Sequence, residues 1–313
     1  VSSALIDGLV RELAARRDSG LWRTRRTLES PQSARVTVEG VSLLAFASND
    51  YLGLANDPRI VEAARAGALA WGAGAGASHL ICGHQAPHGE VEQALADFVA
   101  PSPDARGLLL STGYLANLAI LTALADRGTA IFADRLDHAC LNDGAVLSRA
   151  ELVRYPHADA DALAVRLAAS KARIKLIATD AVFSMDGDIA PLPSLLALAE
   201  AHDAWLVVDD AHGFGVLGDG RGTLAHFGLA SQRIVYMGTL GKAAGVAGAF
   251  IAAHPAVIET IVQRARPYIY TTAAPAMLAC AVAASLSAIR NDDGRRSQLE
   301  RNVARLRSGL AGV

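Results

Sequence analysis

Apolar positions along this chain switch between two periods. From residue 88 onward, stretches with an apolar residue every three to four positions alternate with short, continuous apolar runs. The first pattern reads as helix and the second as a strand buried on both faces. The expected order is helix 88–100, strand 107–111, helix 114–126, strand 129–133, helix 138–148, strand 151–155, helix 159–170 and strand 174–179. Helix 192–203 and strands 204–209, 233–237 and 247–252 continue it, and helix 255–265 and a long helix over about 274–290 lead out of the domain. Strands alternating with helices predict an α/β fold, a mostly parallel sheet flanked by helices on both faces.

Ahead of residue 88 the pattern is less regular. Leu5, Ile6, Leu9, Val10 and Leu13 recur at helical spacing within residues 3–17, with arginines opposite. That predicts an amphipathic helix lying on another subunit or on the main body. Residues 35–46 alternate around Glu39-Gly40, a small hairpin. Pro58 opens a helix that runs to Trp71. The run Gly72-Ala-Gly-Ala-Gly-Ala-Ser78-His79 looks like a dinucleotide fingerprint but follows a helix, whereas that fingerprint follows a strand. A close backbone approach to a ligand or partner chain is expected there instead. The resulting divisions are an N-terminal helix and hairpin segment (1–48), a large α/β domain (49–275) and the start of a smaller C-terminal domain (276–313).

Composition narrows the function. With 313 residues, 52% of them hydrophobic, the chain can bury a full core. No uninterrupted apolar segment of about 18 residues occurs, so no membrane span is expected. A net charge of -2 without a long basic run argues against nucleic acid as a partner. Cys82, Cys140 and Cys280 form no CxxC pair and are expected to be small buried hydrophobes. His79, His84 and His88 are close in sequence, but no carboxylate or thiolate is spaced to complete a ligand set, so no metal is expected. No signal-peptide pattern opens the chain, and a cytoplasmic location is expected. Position 1 is Val, which suggests a processed or trimmed start or an unconventional initiation codon, and the last residues, 298–313, stop inside a helical pattern.

Candidate chemistry gathers where strands end, which is where sites in such sheets form. Lys242 follows the strand at 234–237 and the turn Gly238-Thr-Leu-Gly241, and it is the only charged residue between Arg233 and His254. Small residues, Gly241, Ala243, Ala244 and Gly245, leave room beside it. A desolvated lysine can be a neutral amine and form a Schiff base, although a surface lysine after a strand fits the same stretch. Strand 204–209 ends in Asp209-Asp210-Ala-His212. Asp209 can pair with a protonated ring nitrogen, and His212 can bond a phenolic oxygen of the same ring. An aldehyde-trapping lysine and an acid for a pyridinium nitrogen are what pyridoxal 5′-phosphate (PLP) needs. Gly113 and Tyr114 stand between a strand and a helix, whose N-terminus suits a phosphate. His138 begins another helix and can stack on a flat ring, cap the helix or sit in the core. Asp180 and Ser184 follow strand 174–179. Arg23, Arg25 and Arg26 make either a solvated linker or an anion site.

The ordered motifs resemble those of the α-oxoamine synthases, PLP enzymes of the aspartate aminotransferase fold (fold type I), from about residue 20 to the end. The matching runs are Ser48-Asn-Asp-Tyr-Leu-Gly-Leu54, Ser111-Thr-Gly-Tyr-Leu-Ala-Asn117, Asp134-Arg-Leu-Asp-His138, Val182-Phe-Ser-Met-Asp-Gly-Asp188, Val207-Val-Asp-Asp-Ala-His-Gly213 and Gly238-Thr-Leu-Gly-Lys242. The resemblance implies that Lys242 holds PLP and later moves protons at the substrate α-carbon, and that Asp209 pairs with the pyridinium nitrogen. It implies that His212 and Ser184 sit at the ring phenolate oxygen and that His138 stacks on the ring. Gly113, Tyr114 and Thr239 are implied as the phosphate cradle, with Thr271 or Thr272 reaching from the other subunit of a homodimer. Arg23 matches an arginine near the acyl substrate. The implied reaction is condensation of L-alanine with a pimeloyl thioester, with loss of CO2. The alternatives are a sister enzyme such as glycine C-acetyltransferase, or a PLP-binding subunit with little activity. The family usually continues for roughly 70–90 residues as a small C-terminal domain. A C-terminally truncated chain is therefore expected, without the arginine that normally receives the amino-acid carboxylate.

Overall fold

The computed structural model describes residues 3–311, and the chain divides into two units, Val1–Phe46 and Ala47–Val313. In the first, Ser3 caps helix α1 (Ala4–Asp18) by accepting from the N–H of Ile6 at 3.2 Å. No residue of α1 is buried, and the stripe from Leu5 to Leu13 stays exposed. Strands β1 (Arg35–Val38) and β2 (Val41–Leu44) pair antiparallel. Glu39 and Gly40 both take positive φ, 52° and 74°, as a tight two-residue hairpin turn requires.

The second unit is built on α2 (Pro58–Trp71), α3 (Ala86–Val99), β3 (Arg106–Leu110), α4 (Gly113–Leu124), β4 (Thr129–Asp134), α5 (Ala139–Ser148), β5 (Glu151–Tyr155) and α6 (Ala160–Ala169). Then come β6 (Ile174–Asp180), α7 (Leu192–Ala201), β7 (Trp205–Asp209), α8 (Thr223–Phe227), β8 (Ile234–Thr239) and β9 (Ala249–Ala253). Helices α9 (Pro255–Arg264), α10 (Arg266–Ile269), α11 (Ala276–Asn291) and α12 (Asp293–Leu310) complete the described residues. The sheet has seven strands in the order β3-β9-β8-β7-β6-β4-β5. The strands from β8 to β5 are mutually parallel, and β9 runs antiparallel to both β8 and β3. The turn across residues 240–248 explains this reversal, because a parallel return needs a crossover of about a dozen residues or more.

Alternation along the central strands feeds two cores. Leu206, Val208, Ile234 and Tyr236 belong to one, while Val207, Val235 and Met237 belong to the other. Both faces are buried, as a parallel sheet demands, and the mostly parallel sheet flanked by helices is the α/β architecture the pattern predicts. Short elements escape the apolar pattern: α8, α10 and a π-helical turn over His79–Gly83. That turn folds tightly, since a Cβ on Gly83 would meet the Ala77 carbonyl oxygen at 2.1 Å.

Helix α3 lies so close to β3 that a Cβ on Gly107 would meet the Glu92 carbonyl oxygen at 2.0 Å. The same approach buries the Glu92 carboxyl, which accepts from the N–H of Leu109 at 2.8 Å. Burial raises it from 4.5 to about 7, against the pull of that N–H. A carboxyl raised on folding contributes stability that is complete below its unfolded value and is lost as pH rises through the folded one. Glu92→Gln keeps the acceptor and removes the titration. Between pH 4 and 8 the wild type is expected to lose on the order of 3 kcal/mol relative to E92Q. Urea melts at the two pH values check this, and a constant difference between the proteins refutes it.

Candidate active site

The carboxyl ends of β6, β7 and β8 open onto a cavity of about 200 Å³ lined by Gly113, Tyr114, His138, Cys140, Asp180, Ser184, Asp209, Ala211, His212, Met237, Thr239 and Lys242. Every strand-end residue picked from the sequence for the ring or phosphate is among them. Arg23 is not; it stands exposed in the first unit, between α1 and β1. A larger cavity of about 840 Å³ lies at the other ends of the strands, bordered by Ile174, Trp205 and Arg233. It gathers no comparable set of convergent ionisable groups, so the smaller cavity is the chemical one.

Lys242 stands in the turn after β8, which is pressed against the segment after Tyr51. Gly245 has φ 67°, and a Cβ there would meet the Leu54 carbonyl carbon and the Ala55 nitrogen at 2.4 Å. The Nζ of Lys242 lies 2.8 Å from His212 Nε2, and His212 Nδ1 lies 2.6 Å from the Tyr51 hydroxyl. Tyr51 in turn donates to Asn49 Oδ1 at 3.3 Å. Burial lowers the lysine, although Asp209 and Asp180 oppose that shift. Burial and the neighbouring Lys242 take His212 down to about 4, so its imidazole is neutral. A neutral ring can accept from Nζ at Nε2 and donate from Nδ1 to Tyr51. His212, expected at a ring oxygen, is also a partner of the lysine.

The two adjacent acids part company. Asp209 is the last residue of β7 and points into the cavity, accepting from Asn117 Nδ2 at 2.6 Å and from the N–H of Ala211 at 3.0 Å. Burial drives its carboxyl above the ordinary value. Asp210 turns away, accepting from the Thr223 N–H and hydroxyl, each at 2.6 Å, and from the Tyr236 hydroxyl at 3.0 Å. It ties α8 to β8 and takes no part in the cavity.

His138 is placed by a carboxylate bracket. Asp137 accepts from the backbone N–H of Asp134 in β4 at 2.9 Å and of Asp180 in β6 at 3.0 Å, joining two strand ends. The His138 N–H then donates to Asp180 Oδ2 at 3.0 Å. Burial and the charge of Asp209 push Asp180 up to about 8. Cys140 lies 2.8 Å from His138 Nδ1 and accepts from Asn117 Nδ2 at 3.0 Å. Sequence reasoning missed Tyr51, Asn117 and Cys140 as members of the site. Tyr51 and Asn117 stand inside motifs already quoted, and that was the available signal. Of the three cysteines expected to be buried, Cys82 is exposed and Cys280 half-buried.

The three histidines taken for loop residues form a cluster. His79 Nδ1 and His84 Nδ1 are 3.0 Å apart, and His79 stacks on Tyr268. His88 Nδ1 accepts from the Gln85 N–H at 3.0 Å, and its Nε2 lies 2.8 Å from the Ala274 carbonyl oxygen. Both nitrogens of His88 are therefore spent on the backbone, and the cluster braces the π-helical turn against α3.

Residues 41–313 match the family described as aminotransferase class I and II. The chain belongs to that family. Among curated relatives, the 8-amino-7-oxononanoate synthase of Janthinobacterium sp. (strain Marseille) is 60% identical over 310 residues, covering 98% of this chain and 79% of the relative. The synthase of the same name from Herminiimonas arsenicoxydans is 57% identical, covering 97% of this chain and 79% of its own. Among solved structures, a serine palmitoyltransferase from S. paucimobilis with a bound PLP–myriocin aldimine superposes with TM-score 0.90 at 32% identity, covering 99% of this chain and 79% of that one. An 8-amino-7-oxononanoate synthase from Francisella tularensis gives TM-score 0.72 at 32% identity, with 84% of this chain and 75% of that one covered. The resemblance to α-oxoamine synthases therefore stands. The chain is a PLP-dependent acyltransferase, and pyridoxal 5′-phosphate is its cofactor.

The residues present fit that cofactor. Asp209 is a buried acid whose raised carboxyl would be relieved by a cationic ring nitrogen. The first N–H groups of α4 have no carbonyl partner inside the helix. A Cβ on Gly113 would stand 3.8 Å from Thr239 Oγ1, so the missing side chain opens cavity space between the helix and Thr239. The cavity thus offers an anion pole at α4, an acid floor at β7 and an amine at the end of β8.

Proposed function

We propose that this enzyme condenses L-alanine with a pimeloyl thioester, carried on coenzyme A or an acyl carrier protein, to give 8-amino-7-oxononanoate and CO2 in biotin biosynthesis. The observation that carries the reading is Lys242, a half-buried amine held by neutral His212 in the cavity that Asp209 also lines. The name of the relatives at 55–60% identity supports the choice of substrates. Likeness to the palmitoyltransferase does not outweigh it, since in sequence that structure, at 32% identity, is far below the 55–60% of the curated synthases.

Lys242 supplies the amine that holds the cofactor and, once displaced by the amino acid, takes and returns the proton at the α-carbon. Burial lowers that amine, which favours its neutral, basic form. Bound PLP supplies an electron sink for the carbon that loses the proton. Asp209 holds the ring nitrogen protonated, and Gly113, Tyr114 and Thr239 hold the phosphate. His138 covers a ring face, with Ser184 and His212 at the ring's oxygen side. Arg23 receives the distal carboxylate of the acyl chain. Residues 276–313 open a smaller domain. The working unit is a cytoplasmic homodimer. The exposed side chains of Leu80, Ile81 and Tyr270, on the two segments joined by the pairing of Ser78 with Thr272, support an interface there. Among the described residues no helix is long and apolar enough to cross a membrane.

Coenzyme A release from pimeloyl-CoA with L-alanine, run beside acetyl-CoA with glycine, tests the reading. Faster turnover of the first pair is expected. Preference for the second assigns the sister reaction, and no release from either pair overturns both.

A further inference from the structure

Asn117 and Cys140 line or adjoin the cavity and carry no part of the reading above. Their hydrogen bonds have a direction that can be worked out atom by atom. Asn117 Nδ2 has two protons and two neighbours, Asp209 Oδ2 at 2.6 Å and Cys140 Sγ at 3.0 Å. Asp209 Oδ2 accepts from the amide nitrogen, and the other amide proton goes to sulfur. Asn117 Oδ1 is left buried without a hydrogen-bond partner among the described residues. That orphaned oxygen shows the amide is held for its two donors. Sγ, already accepting, has its own proton to give, and His138 Nδ1 is 2.8 Å away. The backbone N–H of Cys140 also points at Nδ1, at 3.3 Å. Two donors therefore converge on one ring nitrogen. Burial and the nearby Asp209 carboxylate push the thiol up to about 12, so the sulfur keeps its proton.

We propose that Cys140, oriented by Asn117, is a positioning residue that fixes His138 in the tautomer with its proton on Nε2. The chain Asp209–Asn117–Cys140–His138 then couples the acid under the ring nitrogen to the imidazole over the ring. In this tautomer His138 carries a proton at Nε2, with its only lone pair already occupied. It cannot be the base at the α-carbon, and that task falls to Lys242 alone. The consequence for catalysis rests on the ring site proposed above, whereas the tautomer itself does not.

The test is the ring ¹⁵N spectrum of His138, assigned with His138→Gln, in cofactor-free and PLP-loaded protein. An Nε2–H, Nδ1-acceptor signature in both is expected. In Cys140→Ala the ratio of tautomers should shift by about tenfold, the effect of one buried hydrogen bond. Cys140→Ser, whose hydroxyl donates as the thiol does, should restore it. A protonated Nδ1 in the wild type overturns the proposal, as does a C140A spectrum identical to the wild type. Should C140A fail to fold, the wild-type and C140S spectra still decide. If the spectrum is as expected but PLP does not bind, the ring site fails and the tautomer assignment survives.

Discussion

Replacing Lys242 by alanine removes covalent attachment of PLP and lowers turnover by about 10⁴-fold or more. The size follows from two losses at one atom. The amine that captures the aldehyde is gone, and so is the base that moves the α-proton, a contribution that alone reaches about 10⁴. No neighbour can substitute. His212 is the partner of Nζ, but its imidazole is driven down to about 4 and so is a weak base. Asp180 lies in the same cavity but is engaged by the His138 N–H. Mass spectrometry after borohydride reduction should find the cofactor mass on the wild type and not on K242A. The folded cofactor-free variant should be at least as stable as the wild type, because burial disfavours the ammonium it loses. A covalent cofactor retained by K242A, or turnover within tenfold of the wild type, sinks the assignment.

Strand ends were legible because a lone charge after an apolar run has few reasons to exist. Lys242 stood out among small residues, and Asp209 closed a run of bulky ones. Asp209 was named for the ring nitrogen with no local reason to choose it over its neighbour Asp210, and the structure supplies that reason. Thr223 and Tyr236 claim Asp210, leaving Asp209 to Asn117 and the cavity. Periodicity carries no strand direction, so the reversal of β9 was hidden in the pattern, although the short gap before it was visible. Asn117 and Tyr51 stood inside quoted motifs, but their roles were not legible there. Their partners are 92 and 161 residues away in sequence, and no local spacing encodes such a bond. The histidine cluster failed similarly. A π-helical turn has no period of its own to read, yet it is what swings His79 back onto His84 and His88.

Asp209→Asn should separate catalysis from folding more sharply than any other single change. With PLP present, the substitution leaves a ring cation facing a neutral amide in a buried place. Removing one partner of a buried charge pair costs about 3–5 kcal/mol. At about 1.4 kcal/mol per decade this is a 10²- to 10⁴-fold loss, shared between cofactor affinity and turnover. Without PLP the balance reverses. The carboxyl is then a buried acid with no ring cation beside it, raised above its ordinary value by burial, and its charged form works against the fold. An amide carries no such charge, so cofactor-free D209N should melt no lower than cofactor-free wild type at pH 8. Asn117 can accommodate it by turning its own amide, offering the unpaired Oδ1 to the new N–H2. That rotation withdraws the donor from Cys140 Sγ, so the ¹⁵N signature of His138 should move in D209N as well. Equal losses of stability with and without PLP would mean that Asp209 is only a structural acid. The opposite signs expected here identify its charge as a group kept for the cofactor and borne at a cost by the protein alone.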